Sequence, residues 1–149
     1  MNLIQRAGHL EVKFVWRFNL KMQERLLCKA KRLDNKKWVM GYIIGNESTK
    51  KAYIHGLYDN GVVEVDAATV CQCLGLRDKN NQLIYEKDIV RYNNQLAEIT
   101  WCDEFASWRL GTSKWIYTHF FGAILRPEHV EVVGNIIDIP EYKEVIYGE

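Results

Sequence analysis

The sequence has no apolar run approaching the roughly 18 residues that a helical membrane span needs, so no membrane partner is expected. It has no C-x-x-C pair. Its four cysteines, Cys28, Cys71, Cys73 and Cys102, include one C-x-C spacing and no second pair at zinc-ligand spacing. The opening "MNLIQRAGHLEVKFVWRFNLK" has no uninterrupted apolar core, because Arg6, Glu11, Lys13 and Arg17 break it, which argues against a secretory segment. Reduced thiols in a cytoplasmic protein are the expectation. Proline occurs only twice. Net charge is +1, too little to steer the whole chain to nucleic acid or a membrane surface.

What is present suits one domain, or two very small ones sharing a core. A chain of 149 residues can bury about two thirds of its unfolded surface without a disulfide or metal staple. Hydrophobic residues make up 48%, charged residues 26% and Trp, Tyr and Phe 12%. Aromatic richness favours strands, where flat rings pack on a pleated surface. The charge is unevenly spread. Residues 1–66 hold 12 Lys/Arg against 7 Asp/Glu, and residues 67–149 hold 8 against 12. Such asymmetry can align subunits head to tail or greet an anionic partner, although a charged face is more often simply solvated.

Period-two alternation dominates the pattern. In "LEVKFVWRFNL" the even positions from Leu10 to Leu20 are all apolar, which describes a half-buried strand. "RLLCKAKRL" leads through Asp34, Asn35 and Lys36 into "KWVMGYII", and "KAYIHGLYD" meets "VVEV" across Asn60-Gly61, a strong type I′ hairpin signal. Asp66 is placed to cap one helical turn before a strand over 69–76. The polar run Arg77 to Gln82 reads as a loop. With Asn94-Gln95 as a turn, Val90 would face Ile99 and Arg91 would face Glu98. A further hairpin through Gly111 to Lys114 would stack Trp108, Leu110, Trp115 and Tyr117 on one face. Trp101, Trp108 and Trp115 are expected to turn inward. Arg126 to His129 reads as a helical turn, "VEVVGNIIDI" as a last strand with a bulge at its Gly, and Pro140 as the start of a short helix. The expected fold is mainly β: a bent antiparallel sheet or partly open SH3-like barrel with short helical turns.

The segments "KRLDNKKWVMGY", "TVCQCLGLRDKNNQLIYEKDIVRY", "AEITWCDEFASWRL" and "VVGNIIDIPE" occur in the order found in YopX-like proteins of phage and prophage genomes. The resemblance covers roughly residues 22–143, leaving residues 1–21 as either a read-through from an upstream start or an added N-terminal strand, before a domain over 22–149. It implies a small β-rich phage protein, SH3-like in part, and allows oligomers; it carries over no catalytic residues. Three departures stand out. The family usually has Gly where this chain has Lys36, Asn81 and Lys87, which suggests that the turns at the two lysines are shaped differently here.

No catalytic, cofactor-binding or metal-ligating set is assigned. Glu86, Asp88 and Asp103 could hold a divalent ion only if folding brought them together, and turn capping explains them more simply. His9, His55, His119 and His129 are scattered. Cys71 and Cys73 face one way on a strand but fit small buried thiols better than ligands. The expected function is that of a non-enzymatic accessory protein acting through protein–protein contact or self-assembly, with a homo-oligomer or a host or phage protein as partner. The alternative is a nucleic-acid-binding module. Lys29, Lys31, Arg32, Lys36 and Lys37 cluster on one hairpin beside Trp38, as basic strands and stacking platforms do in small barrels.

Overall fold

The computed structural model describes residues 24–46, 48–57, 61–113, 119–122 and 125–148. The alternating segments form two antiparallel sheets. In the first, β1 (Cys28–Lys31), β2 (Trp38–Asn46), β3 (Lys51–Gly56), β4 (Val62–Val65), β5 (Cys71–Arg77) and β6 (Leu83–Tyr85) lie in the order β4-β3-β2-β1-β5-β6. In the second, β7 (Asp88–Tyr92), β8 (Gln95–Cys102), β9 (Ser107–Gly111), β10 (His119–Phe120) and β11 (Glu131–Asn135) run in the order β10-β9-β8-β7-β11. Among the described residues helical structure is confined to short turns, residues 24–26 and α1 (Tyr142–Tyr147). The N-terminal strand expected over residues 10–20 lies outside the described residues, as do Trp115 and Tyr117.

The first sheet bends sharply, yet neither sheet closes into a barrel. Its outer strand β4 curls back toward the end of β1, where Arg32 bridges Val65 and Leu33 N–H donates to the Glu64 carbonyl at 3.2 Å. Ala30, Ala52, Ile54 and Val65 are buried on the concave side. Small residues permit the curvature, and Gly41 is required by it. A Cβ at Gly41 would sit 1.9 Å from the His55 carbonyl oxygen, so the neighbouring strand fits only against a bare Cα.

The second sheet's core joins Val90, Ala97, Ile99 and Leu110 to Leu74 of β5 and Ile84 of β6. The two sheets therefore share one interior. Ile89, Ile136 and Ile146 form an adjoining cluster that seats α1. Asp66 caps the turn over Ala67–Thr69 by accepting from Ala68 N–H. Pro127 opens a second such turn. The shift in pairing between Val132 and Gly134 is the expected bulge.

Several turns differ from the sequence expectation. The β7–β8 register sets Val90 against Ala97 and Arg91 against Leu96, two residues from the pairing expected. The turn is Asn93-Asn94, with φ of 48° and 60°, because asparagine tolerates the left-handed backbone of a type I′ turn. Asn60-Gly61 does not form a two-residue turn: His55 faces Val62, which leaves a longer connection. Leu110 faces His119, so the β9–β10 loop is also longer than Gly111 to Lys114. Lys36 and Lys87 keep positive φ values of 58° and 64°. Their turns therefore retain the geometry that glycine would serve, with lysines held in it. Trp101 does not turn inward; it is 42% exposed near the end of β8, whereas Trp108 is half-buried against the core.

Candidate interaction surfaces

The charges of "LRDKNNQLIYEKD" build structure. Asp78 is buried; one carboxylate oxygen accepts from Asn80 and Gln82 N–H at 2.8 and 2.9 Å, and the other from Val132 N–H at 2.9 Å. One side chain thus shapes the loop and ties it to β11. Asp88, 1% exposed, accepts from Lys29 Nζ at 2.6 Å, Asn135 Nδ2 at 2.9 Å and Tyr85 N–H at 2.8 Å. Lys29 also lies 4.7 Å from the centre of the Tyr85 ring. This pair locks β1 of the first sheet to β7 of the second. Burial raises the Asp88 carboxyl above its ordinary pKa, and the Lys29 ammonium opposes that rise.

The basic hairpin is largely neutralised by neighbouring acids. Lys29 pairs with Asp88, Lys31 with Asp138, and Arg32 with Asp34 at 2.6 Å. Trp38 donates its indole N–H to Asp138 at 2.7 Å while Lys31 sits 4.5 Å from its ring centre, so this tryptophan is engaged and half-buried. Partial burial raises the Asp138 pKa, but hydrogen bonds from Lys31 and Trp38 outweigh it and hold the carboxyl below its usual range. Lys36 and Lys37 remain as exposed cations with no carboxylate partner among the described residues. The five candidate residues share one hairpin without forming a continuous cationic surface.

Other candidate groups separate similarly. Asp88 is sealed in its ion pair, while Asp103 lies beyond β8 and accepts from Trp101 Nε1 at 2.9 Å. Among the described residues no group of three or more His, Cys, Asp or Glu has a metal-holding arrangement. Cys28, Cys71 and Cys73 are buried free thiols, and burial pushes Cys71 up to about 11. No helix among the described residues is long and apolar enough to cross a membrane.

Exposed apolar side chains include Leu26, Leu33, Ile43 and Val145, and two surfaces carry several each. The first is the convex face of β2–β4. Strand register places Tyr42 beside His55 and Val62, and Ile44 beside Tyr53, with Met40 opposite Leu57 at the strand end. Met40, Ile44, Leu57 and Val62 are all exposed, Ile44 by 50% and Val62 by 54%. "WVMGYIIG" carried a signal for this: it is apolar at both alternating sets of positions, and even Ile43, opposite buried Ile54, stays 42% exposed. The second surface is the β8–β9 tip. There Trp101 packs edge-on against Trp108 with ring centres 5.1 Å apart, and Phe105, 62% exposed, packs against Phe120 at the same separation. Asp103 and Glu104 lie at this tip, both exposed.

The family model described as YopX protein matches residues 16–142. The chain belongs to the YopX family. The match takes in both sheets, so the bent first sheet and the Lys29–Asp88 pair lie within the YopX region. Residues 1–15 precede it. No curated protein matches the sequence significantly.

Proposed function

We propose that this YopX-family chain is a non-enzymatic, phage- or prophage-encoded accessory protein that acts in the host cytoplasm by docking through the convex β2–β4 face and forms a homo-oligomer. The observation that carries this reading is the exposure of Met40, Ile44, Leu57 and Val62 on one sheet face, with Tyr42, Tyr53 and His55 between them. Clustered apolar exposure of this kind marks an interaction surface, whereas apolar residues scattered singly do not. Family membership supports the phage setting through the resemblance drawn from the sequence. The test is light scattering of the full chain over a concentration series, beside an Ile44→Lys/Val62→Lys variant. A mass above 17.5 kDa that grows with concentration, and falls to 17.5 kDa in the variant, is expected. A wild-type mass of 17.5 kDa throughout would contradict the reading.

The second reading is nucleic-acid binding, favoured by the exposed cations of Lys36 and Lys37. It requires a gel shift at low salt that is lost in Lys36→Glu/Lys37→Glu.

A further inference from the structure

We infer that the occupant of the convex β2–β4 face is the β8–β9 tip of a second copy of this chain, an inference that rests on the reading of that face as a docking surface. The two surfaces are complementary. The face offers the exposed aliphatic side chains Ile44, Leu57 and Val62, and Met40. The tip offers aromatic rings, Trp101 and Phe105, that are exposed on their own chain. Rings of this kind anchor interfaces because they bury a large area at low conformational cost.

Charge points the same way. The tip segment "WCDEFASW" carries two carboxylates and no cation. Lys50 and Lys51 stand exposed at the β2–β3 turn, at the Ile44 end of the face. Lys51 pairs with Glu64 at 3.0 Å, which leaves Lys50 to meet an incoming carboxylate. A lysine at the end of one patch and two carboxylates on the other favour head-to-tail encounter over face-to-face pairing of like patches.

Face and tip lie on different sheets, so each copy would use one surface to receive and the other to insert. Such a contact is heterologous and generates rings or filaments instead of closing as a two-fold dimer. It follows that two chains, each crippled at a different surface, must pair once and then stop.

The test uses the full chain in sedimentation velocity, with Val62→Lys to block the face and Phe105→Lys to block the tip. Both positions are exposed, and an unchanged unfolding midpoint confirms folding. If either variant fails to fold, Leu57→Lys replaces the first and Asp103→Lys/Glu104→Lys the second. Each variant alone is expected to associate about tenfold or more weakly than wild type. An equimolar mixture is expected to form a species of two chains and nothing larger, weakened by added salt. A mixture that stays monomeric overturns the inference. So does a Phe105→Lys chain that assembles like wild type while Val62→Lys does not; that result leaves the face as a docking surface with another occupant. A wild-type chain that never associates overturns both.

Discussion

Replacing Lys29 with methionine removes the cation from the most buried ion pair while keeping most of the aliphatic volume. The Lys29 side chain is 15% exposed and its partner Asp88 only 1%. Breaking such a pair from one side costs about 3–5 kcal/mol, because the remaining charge is left desolvated. Asp88 would keep its hydrogen bonds from Tyr85 N–H and Asn135 Nδ2, and it can take up a proton. The cost should therefore lie near the lower bound, about 3 kcal/mol, or about 6–12 °C in melting temperature for a domain of this size. Burial already raises the Asp88 pKa, and losing Lys29 raises it further. A carboxyl with a native pKa above its unfolded value gains stability as pH falls through that raised value. The Lys29→Met deficit should consequently shrink as pH is lowered from neutrality. Asp88→Asn strands the lysine instead, and the double variant should recover about 2 kcal/mol relative to the sum of the single costs. Urea unfolding followed by tryptophan fluorescence measures all three. A Lys29→Met cost below about 1 kcal/mol, or strict additivity with Asp88→Asn, would refute the claim that this pair joins the sheets.

Gly41→Ala should cost about 3 kcal/mol or more by the same assay, because its Cβ would meet the His55 carbonyl at 1.9 Å. Lys36→Gly should raise stability by about 0.5–1 kcal/mol, since the exposed turn holds lysine at φ 58°. Asp138→Asn should cost under about 1 kcal/mol at neutral pH, because the pair is partly exposed. Its native pKa is lowered, so that stabilisation is present above the ordinary aspartate value near about 3.9 and fades as pH falls through the depressed native one. Alkylation at mildly basic pH, read by mass spectrometry, should modify Cys102 first and spare buried Cys28, Cys71 and Cys73 until the chain unfolds.

The strands of the first sheet were legible because β-prone runs such as "CKAK", "WVMGYIIGN" and "VVEV" are separated by turn-forming residues, although Asn60-Gly61 does not make the two-residue turn. Registers were less so. Asn93-Asn94-Gln95 offers two overlapping turns, and only the left-handed tolerance of two asparagines separates them. Lys36 and Lys87 were misread because propensity argues against lysine at positive φ, while the surrounding ladder imposes it. The basic cluster looked continuous in sequence because its neutralising partners, Asp88 and Asp138, lie 59 and 107 residues away along the chain. Asp78 and Asp88 could not be told from solvated turn acids, since each is paired through long-range contacts. The exposed apolar face was half visible: "VMGYII" carries apolar residues at both alternating sets of positions, but only the bend of the sheet decides how much of each set stays outside.

Concentration-dependent covalent labelling of Met40 tests whether the convex face is a docking surface. Met40 is 38% exposed, and Val145, also exposed and on α1 against the second sheet, serves as an internal reference. Rapid labelling of Met40 in dilute chain, slowing several-fold as heavier species form while the reference stays constant, is the predicted result. Equal Met40 labelling at every concentration, with heavier species present, would contradict it.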